Sequence, residues 1–189
     1  MGLTGRVSLS LFCGLVFAGV AATQVPSAVR VTVHPTTPYI EEAAVALHLN
    51  FDFELENLSD KMLQLDWVEL KAYDDRDKLV LRRVLDERAM SPSIETISRR
   101  ELAPKSSLLL FNPFHALEKG LTLKKLRFVF AFRAGEEPGR ESVEVAVTPV
   151  HYRPKTDLIL PLRGRVLVED GHEFFSHHRR VDFTIPIAK

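Results

Sequence analysis

The chain has 189 residues, and its 25 basic and 25 acidic side chains leave a formal net charge of zero at pH 7. That balance argues against nucleic acid or an anionic membrane surface as a partner. A lone cysteine, Cys13, cannot close a disulfide within the chain, so stability must come from an apolar core, which a domain of this length can build.

Residues 1–22 have the order of a secretory signal peptide: Arg6 ends a short basic segment, Val7 to Val20 is apolar, and Val20-Ala21-Ala22 supplies small side chains for cleavage. Cleavage after Ala22 would remove Cys13 and give an exported, periplasmic or extracellular chain starting at Thr23. The apolar stretch, roughly 14 residues, is short of the ~20 needed to span a bilayer. Ser10-Leu11-Phe12 before Cys13 also lacks the small residues of a lipoprotein signal. Membrane contact is therefore expected only transiently, through the signal peptide.

Beyond a short linker, Ala28 to His34 alternates valines with polar residues and meets Pro35 and Pro38, which predicts a first or edge strand. Val45 to Leu55 is the strongest strand signal. Val45, Leu47, Leu49, Phe51, Phe53 and Leu55 share one face, opposite His48, Asn50, Asp52 and Glu54. A face so apolar needs a second sheet over it. Asn57-Leu58-Ser59-Asp60 has turn chemistry, predicting a hairpin between this strand and the next. In Met62 to Tyr73 the apolar phase switches between Leu63, Leu65, Trp67 and Val68, Leu70, Ala72, and a bulge near Trp67 reconciles the two, with Trp67 inside.

Asp74-Asp75-Arg76-Asp77 reads as a turn before a strand over Leu79 to Val84. Asp86 to Arg100 is weakly patterned, with one short strand expected at Ile94 to Ile97. Ser107 to Phe111 is apolar and runs into Asn112-Pro113-Phe114-His115-Ala116-Leu117-Glu118-Lys119-Gly120, which predicts a short helix: Asn112 suits the N-cap, Pro113 the first turn and Gly120 the exit. Leu126, Phe128, Phe130 and Phe132 line one strand, and Val143, Val145 and Val147 another. Pro149, Pro154 and Pro161 punctuate the last quarter, where Arg163 to Val168 approaches the hairpin turn Asp170-Gly171. The whole predicts an all-β sandwich of seven to nine strands with one short helix. It fills residues 23–189 as one domain with a C-terminal hairpin extension from about residue 155.

Candidate chemistry concentrates in His172-Glu173-Phe174-Phe175-Ser176-His177-His178-Arg179-Arg180, whose histidines and carboxylate offer zinc ligands. On a strand only His172 and His178 share a face, roughly 20 Å apart at ~3.3 Å per residue, so the spacing disperses the ligands. His172, His177, His178, Arg179 and Arg180 are accordingly expected to contact a partner, with no metal and no cofactor. A metal-dependent hydrolase built on this cluster is the alternative.

The His-x-x-x-Asp matches His48/Asp52 and His178/Asp182 also fail on a strand, where residues four apart lie ~13 Å from each other. The mature chain has no cysteine and no Gly-x-Ser-x-Gly elbow, so catalytic residues are not expected. Carboxylate pairs at Glu41-Glu42, Asp74-Asp75 and Glu136-Glu137 are read as solvated loop charges. Asn57-Leu58-Ser59 is a glycosylation sequon for a eukaryotic host.

Asp170-Gly171-His172-Glu173-Phe174-Phe175-Ser176-His177-His178-Arg179-Arg180-Val181-Asp182, with Leu160-Pro161-Leu162-Arg163-Gly164-Arg165 before it, resembles a junction in bacterial secreted proteins. There it joins an immunoglobulin-like N-terminal region to a lysostaphin-type zinc peptidase domain. Phe111-Asn112-Pro113-Phe114 is similar more loosely. The likeness covers the accessory region alone; the peptidase motifs have no counterpart, so no catalytic residue carries over. Asn50 through Asp74 is also similar to late-embryogenesis-abundant β-sandwich domains. These resemblances imply an immunoglobulin-like, non-catalytic module of the bacterial cell envelope, binding an envelope protein or cell-wall glycan and associated with a peptidoglycan peptidase.

Overall fold

The computed structural model describes residues 27–43, 45–88, 93–135, 139–153, 155 and 161–167. Its strands are β1 (Val29–Glu42), β2 (Ala46–Asn57), β3 (Leu63–Tyr73), β4 (Leu79–Asp86), β5 (Glu101–Leu102), β6 (Ser107–Leu110), β7 (Ala116–Glu118), β8 (Lys125–Ala134), β9 (Glu141–Val147) and β10 (Val150–Tyr152). The first sheet has the order β10-β1-β2-β6, with β7 also on β2; the second has β4-β3-β8-β9, with β5 on β3. All pairings are antiparallel except that of β1 with β10. The fold is the expected all-β sandwich, with ten strands among the described residues in place of seven to nine.

Alternation along β2 is complete, with Leu47, Leu49, Phe51, Phe53, Leu55 and Asn57 buried and the residues between them half-buried. The inner faces meet through an aromatic cluster, where the Phe53 ring lies 4.7 Å from Phe128 and 5.0 Å from Phe130. Val45, expected on this face, precedes the strand and is exposed. β1 passes both prolines and continues to Glu42, with its register shifting between His34 and Tyr39. The shift lets the chain accommodate two residues without an N–H donor while the strand resumes beyond them.

The predicted hairpin after β2 does not form, because β2 and β3 belong to different sheets. Asn57 makes the crossing. Fully buried, its Nδ2 donates to the carbonyls of Lys61, Leu102 and Ala103 at 2.8, 3.0 and 3.0 Å, and its Oδ1 accepts from the Ser59 backbone and hydroxyl at 2.9 and 2.7 Å. Turn chemistry is local, whereas the direction in which the chain leaves the turn depends on partners far along the sequence.

The bulge in β3 falls at Asp66, between Leu65 and Trp67 in register with β8. It turns Trp67 to the outer side, where it is half-buried and not inside as expected, and sinks Asp66, whose carboxylate accepts from Arg140 Nε at 2.9 Å. Asp74 shapes the β3–β4 turn by accepting from the backbone of Arg76 and Lys78, both at 2.9 Å.

Two further expectations are corrected. Ile94–Thr96 is a turn of 3-10 helix, not a strand, with Ser93 as its cap and Ile94 buried. The helix predicted across Pro113 to Lys119 is absent, and its place is taken by a tight turn and β7. Asn112 Oδ1 accepts from the Phe114 N–H at 3.0 Å, but the chain then pairs with β2, setting Leu117 opposite Leu47 and giving the His115 carbonyl to the Leu49 N–H at 2.7 Å. A two-turn helix is too short to hold itself together, so pairing with a ready strand wins. Gly120, with φ of +88°, turns the chain after β7 in place of capping a helix.

Across the sandwich, Arg83 Nη1 donates to the Ala116 carbonyl at 3.1 Å. Thr148 and buried Pro149 carry the chain from β9 in the second sheet to β10 in the first. Of the predicted C-terminal hairpin extension, residues 155 and 161–167 are described, exposed and in no strand; the remainder lies outside the described residues.

Candidate functional site

His172, His177, His178, Arg179 and Arg180, expected to meet a partner, lie outside the described residues, as does the signal peptide. Asp182 of the second His-x-x-x-Asp match and the Glu136-Glu137 pair also lie outside them, whereas His48, Asp52, Glu41-Glu42, Asp74-Asp75 and Asn57 lie within. His48 and Asp52 have the same parity on β2, and Asp52 Oδ1 accepts from the Asn112 N–H at 2.8 Å. Glu41 and Glu42 end β1 and are not in a loop. Asn57 of the sequon is bound to backbone on every side, a structural role that keeps it from a glycosylating enzyme in the folded state. Among the described residues, no group of three His, Cys, Asp or Glu is placed to hold a metal ion.

Two recesses flank the β2–β3 crossing. The larger, about 410 Å³, is bounded by Lys61, Phe132, Arg140 and Glu141. Its charges are engaged: Arg140 holds Asp66, and Glu141 accepts from the Ser27 hydroxyl at 3.0 Å and from the Ala28 N–H. The smaller, about 370 Å³, sets Glu101 beside Arg99 and Arg100. Neither is lined by a histidine or cysteine.

The distinctive surface lies at the other side of the first sheet. Among the described residues β10 pairs with β1 alone, all three of its residues are exposed, and the register sets Tyr39 against Val150 and Glu41 against Tyr152. Alternation puts Tyr39 and Glu41 on the outer face of β1, since Ile40 between them is fully buried. Tyr39 is 36%, Val150 49% and Tyr152 49% exposed, forming an apolar cluster on a strand edge where polar side chains are the usual protection. The two tyrosine rings stand 6.0 Å apart at 75°, making a corner. Asn50, opposite Tyr39 on β2, donates to Glu41 Oε2 at 3.1 Å and fixes that carboxylate beside the rings.

At this corner Glu41 faces His48 across the strands and has no ion-pair partner among the described residues. Farther along β1, Glu56 pairs with Arg30 at 2.8 Å and Glu54 lies 3.1 Å from the His34 ring. Sequence reading passes over Tyr39 and Tyr152 because each lies beside prolines and weak patterning. Their common feature is polar-face parity with an aromatic side chain, and this becomes visible only once β10 is seen to join β1.

No protein-family model and no curated protein matches the chain.

Proposed function

We propose that this chain is a non-catalytic, immunoglobulin-like binding module of the bacterial cell envelope, exported by its N-terminal signal and accessory to a peptidoglycan peptidase. It takes its partner at the β10 edge of the first sheet. The observation that carries this reading is the tyrosine corner: three exposed apolar side chains, Tyr39, Val150 and Tyr152, on a strand whose outer side pairs with no other strand among the described residues. Tyrosines at an edge offer large, rigid contact area at low entropic cost, and an open edge offers main-chain hydrogen bonds to an extended partner. The basic stretch from His172 to Arg180 is assigned a second contact with the same partner on the ground of its composition.

Site-specific photocrosslinking in cells tests the edge. A photoreactive residue at Val150 should give a defined adduct that diminishes with Tyr152→Ala, while the same residue at Leu79, on the opposite sheet edge, should not. Equal labelling from both positions would end the proposal.

A further inference from the structure

Tyrosines are set among charges at two places, once with ring, cation and carboxylate together and once with no cation among the described residues. On the second sheet, Tyr73 has Lys125 Nζ 5.3 Å and the Arg127 guanidinium 5.8 Å from its ring centre. Those cations also meet carboxylates, Lys125 at Asp77 (2.6 Å) and Arg127 at Glu144 (3.4 Å). Aromatic ring, cation and carboxylate thus form a closed set. At the β10 edge, the rings are Tyr39 and Tyr152 and the carboxylate is Glu41, yet no cation of the described residues reaches either ring or Glu41. Lys119 lies at Glu42 (3.6 Å), while His48, opposite Glu41 in the register of β1 and β2, and Arg153, which follows Tyr152, make no ion pair with Glu41 among the described residues.

Resting on the binding-module reading above, we infer that the β10 edge takes an extended peptide segment and seats one of its arginine side chains between Tyr39, Tyr152 and Glu41. Three features converge on this occupant. The outer side of β10, which pairs with no strand among the described residues, supplies backbone pairing that an extended chain can use. The tyrosine corner supplies π faces that attract a cation, and a guanidinium stacks on them better than an ammonium. Glu41, held by Asn50 through Oε2, keeps Oε1 for a charge-assisted hydrogen bond. Cross-strand spacing suits the arrangement. A strand added beyond β10 has its outward side chains directly next to Val150 and Tyr152, within reach of Glu41 for a residue as long as arginine.

The test uses the full mature chain and two synthetic peptides of alternating threonine and arginine, identical except that the second has citrulline, the neutral isostere, in place of arginine. Titration calorimetry should show the arginine peptide binding at least ten-fold more tightly than the citrulline peptide. Tyr152→Ala and Glu41→Gln should each weaken the arginine peptide at least ten-fold, with thermal melts unchanged, and added salt should weaken it further. If both peptides bind wild type equally and both are lost in Tyr152→Ala, the docking edge stands and the arginine inference is overturned. If the arginine peptide fails to bind at millimolar concentration, or binds the variants as it binds wild type, the edge itself is not the site and both readings fall.

Discussion

Glu69 shows how single side chains set conditions for the fold. Burial acts most strongly on its carboxyl and would raise its pKa, but hydrogen bonds and charge from Lys71 and Arg82 together outweigh it and hold the pKa below the ordinary value of 4.5. A depressed carboxylate pKa stabilises the folded state above the unfolded pKa, and that contribution is lost as pH falls through the folded one. Glu69→Gln should therefore cost about 1–2 kcal/mol near neutrality, with both cations partly solvated. The gap from wild type should close as urea melts are taken below pH 4.5. A gap independent of pH would mean that Glu69 acts by shape alone. Asn57 has a different part, since it replaces a turn with a crossing. Asn57→Ala leaves the carbonyls of Lys61, Leu102 and Ala103 short of a donor in a closed environment, and chemical denaturation should record a loss of roughly 2–4 kcal/mol.

Among elements, β2 organises the molecule because it lies inside the first sheet and lends its whole inner face to the core. Phe53, fully buried, meets Phe51, Phe128 and Phe130, so Phe53→Ala should destabilise by ~3–5 kcal/mol, as expected for a buried phenylalanine. Asp52→Ala, one residue away on the opposite face, should cost far less, although it frees the Asn112 N–H. Equal losses in denaturant melts would contradict the assigned inner face. β7 carries the opposite lesson: Phe114 and Leu117 are both buried at a spacing that a helix and a turn-plus-strand satisfy alike. What separates them is the presence of β2 alongside.

For the whole molecule, circular dichroism should be dominated by β signal with no α-helical minimum, because the described residues contain ten strands and a single 3-10 turn. On the export proposed above, intact mass of the secreted species should match a chain beginning at Thr23 and lacking Cys13; a species retaining Met1 would show that residues 1–22 are not cleaved. Division of the strands between two sheets also accounts for the tyrosine corner. Pro149 breaks β9 from β10, and the short strand that follows joins β1 in parallel, bringing Tyr152 to Tyr39 across a gap in sequence that no local pattern bridges.

Period-2 alternation was enough to assign β2, β8 and the inner valines of β9, and the phase change in β3 was enough to expect a bulge, because burial on one face of a strand leaves its mark directly on neighbouring residues. Which residue the bulge would sink was not legible: Asp66 goes in with Arg140 as its partner, and Trp67 goes out. Alternation likewise says nothing about which strand lies beside which. Asn57 sends the chain to the other sheet, β7 extends where a helix was expected, and β10 turns two unremarked tyrosines into a corner, each through contacts between residues distant in the chain. Those choices belong to the packed molecule, since backbone pairing and core closure are free energies shared among segments and no one segment contains them.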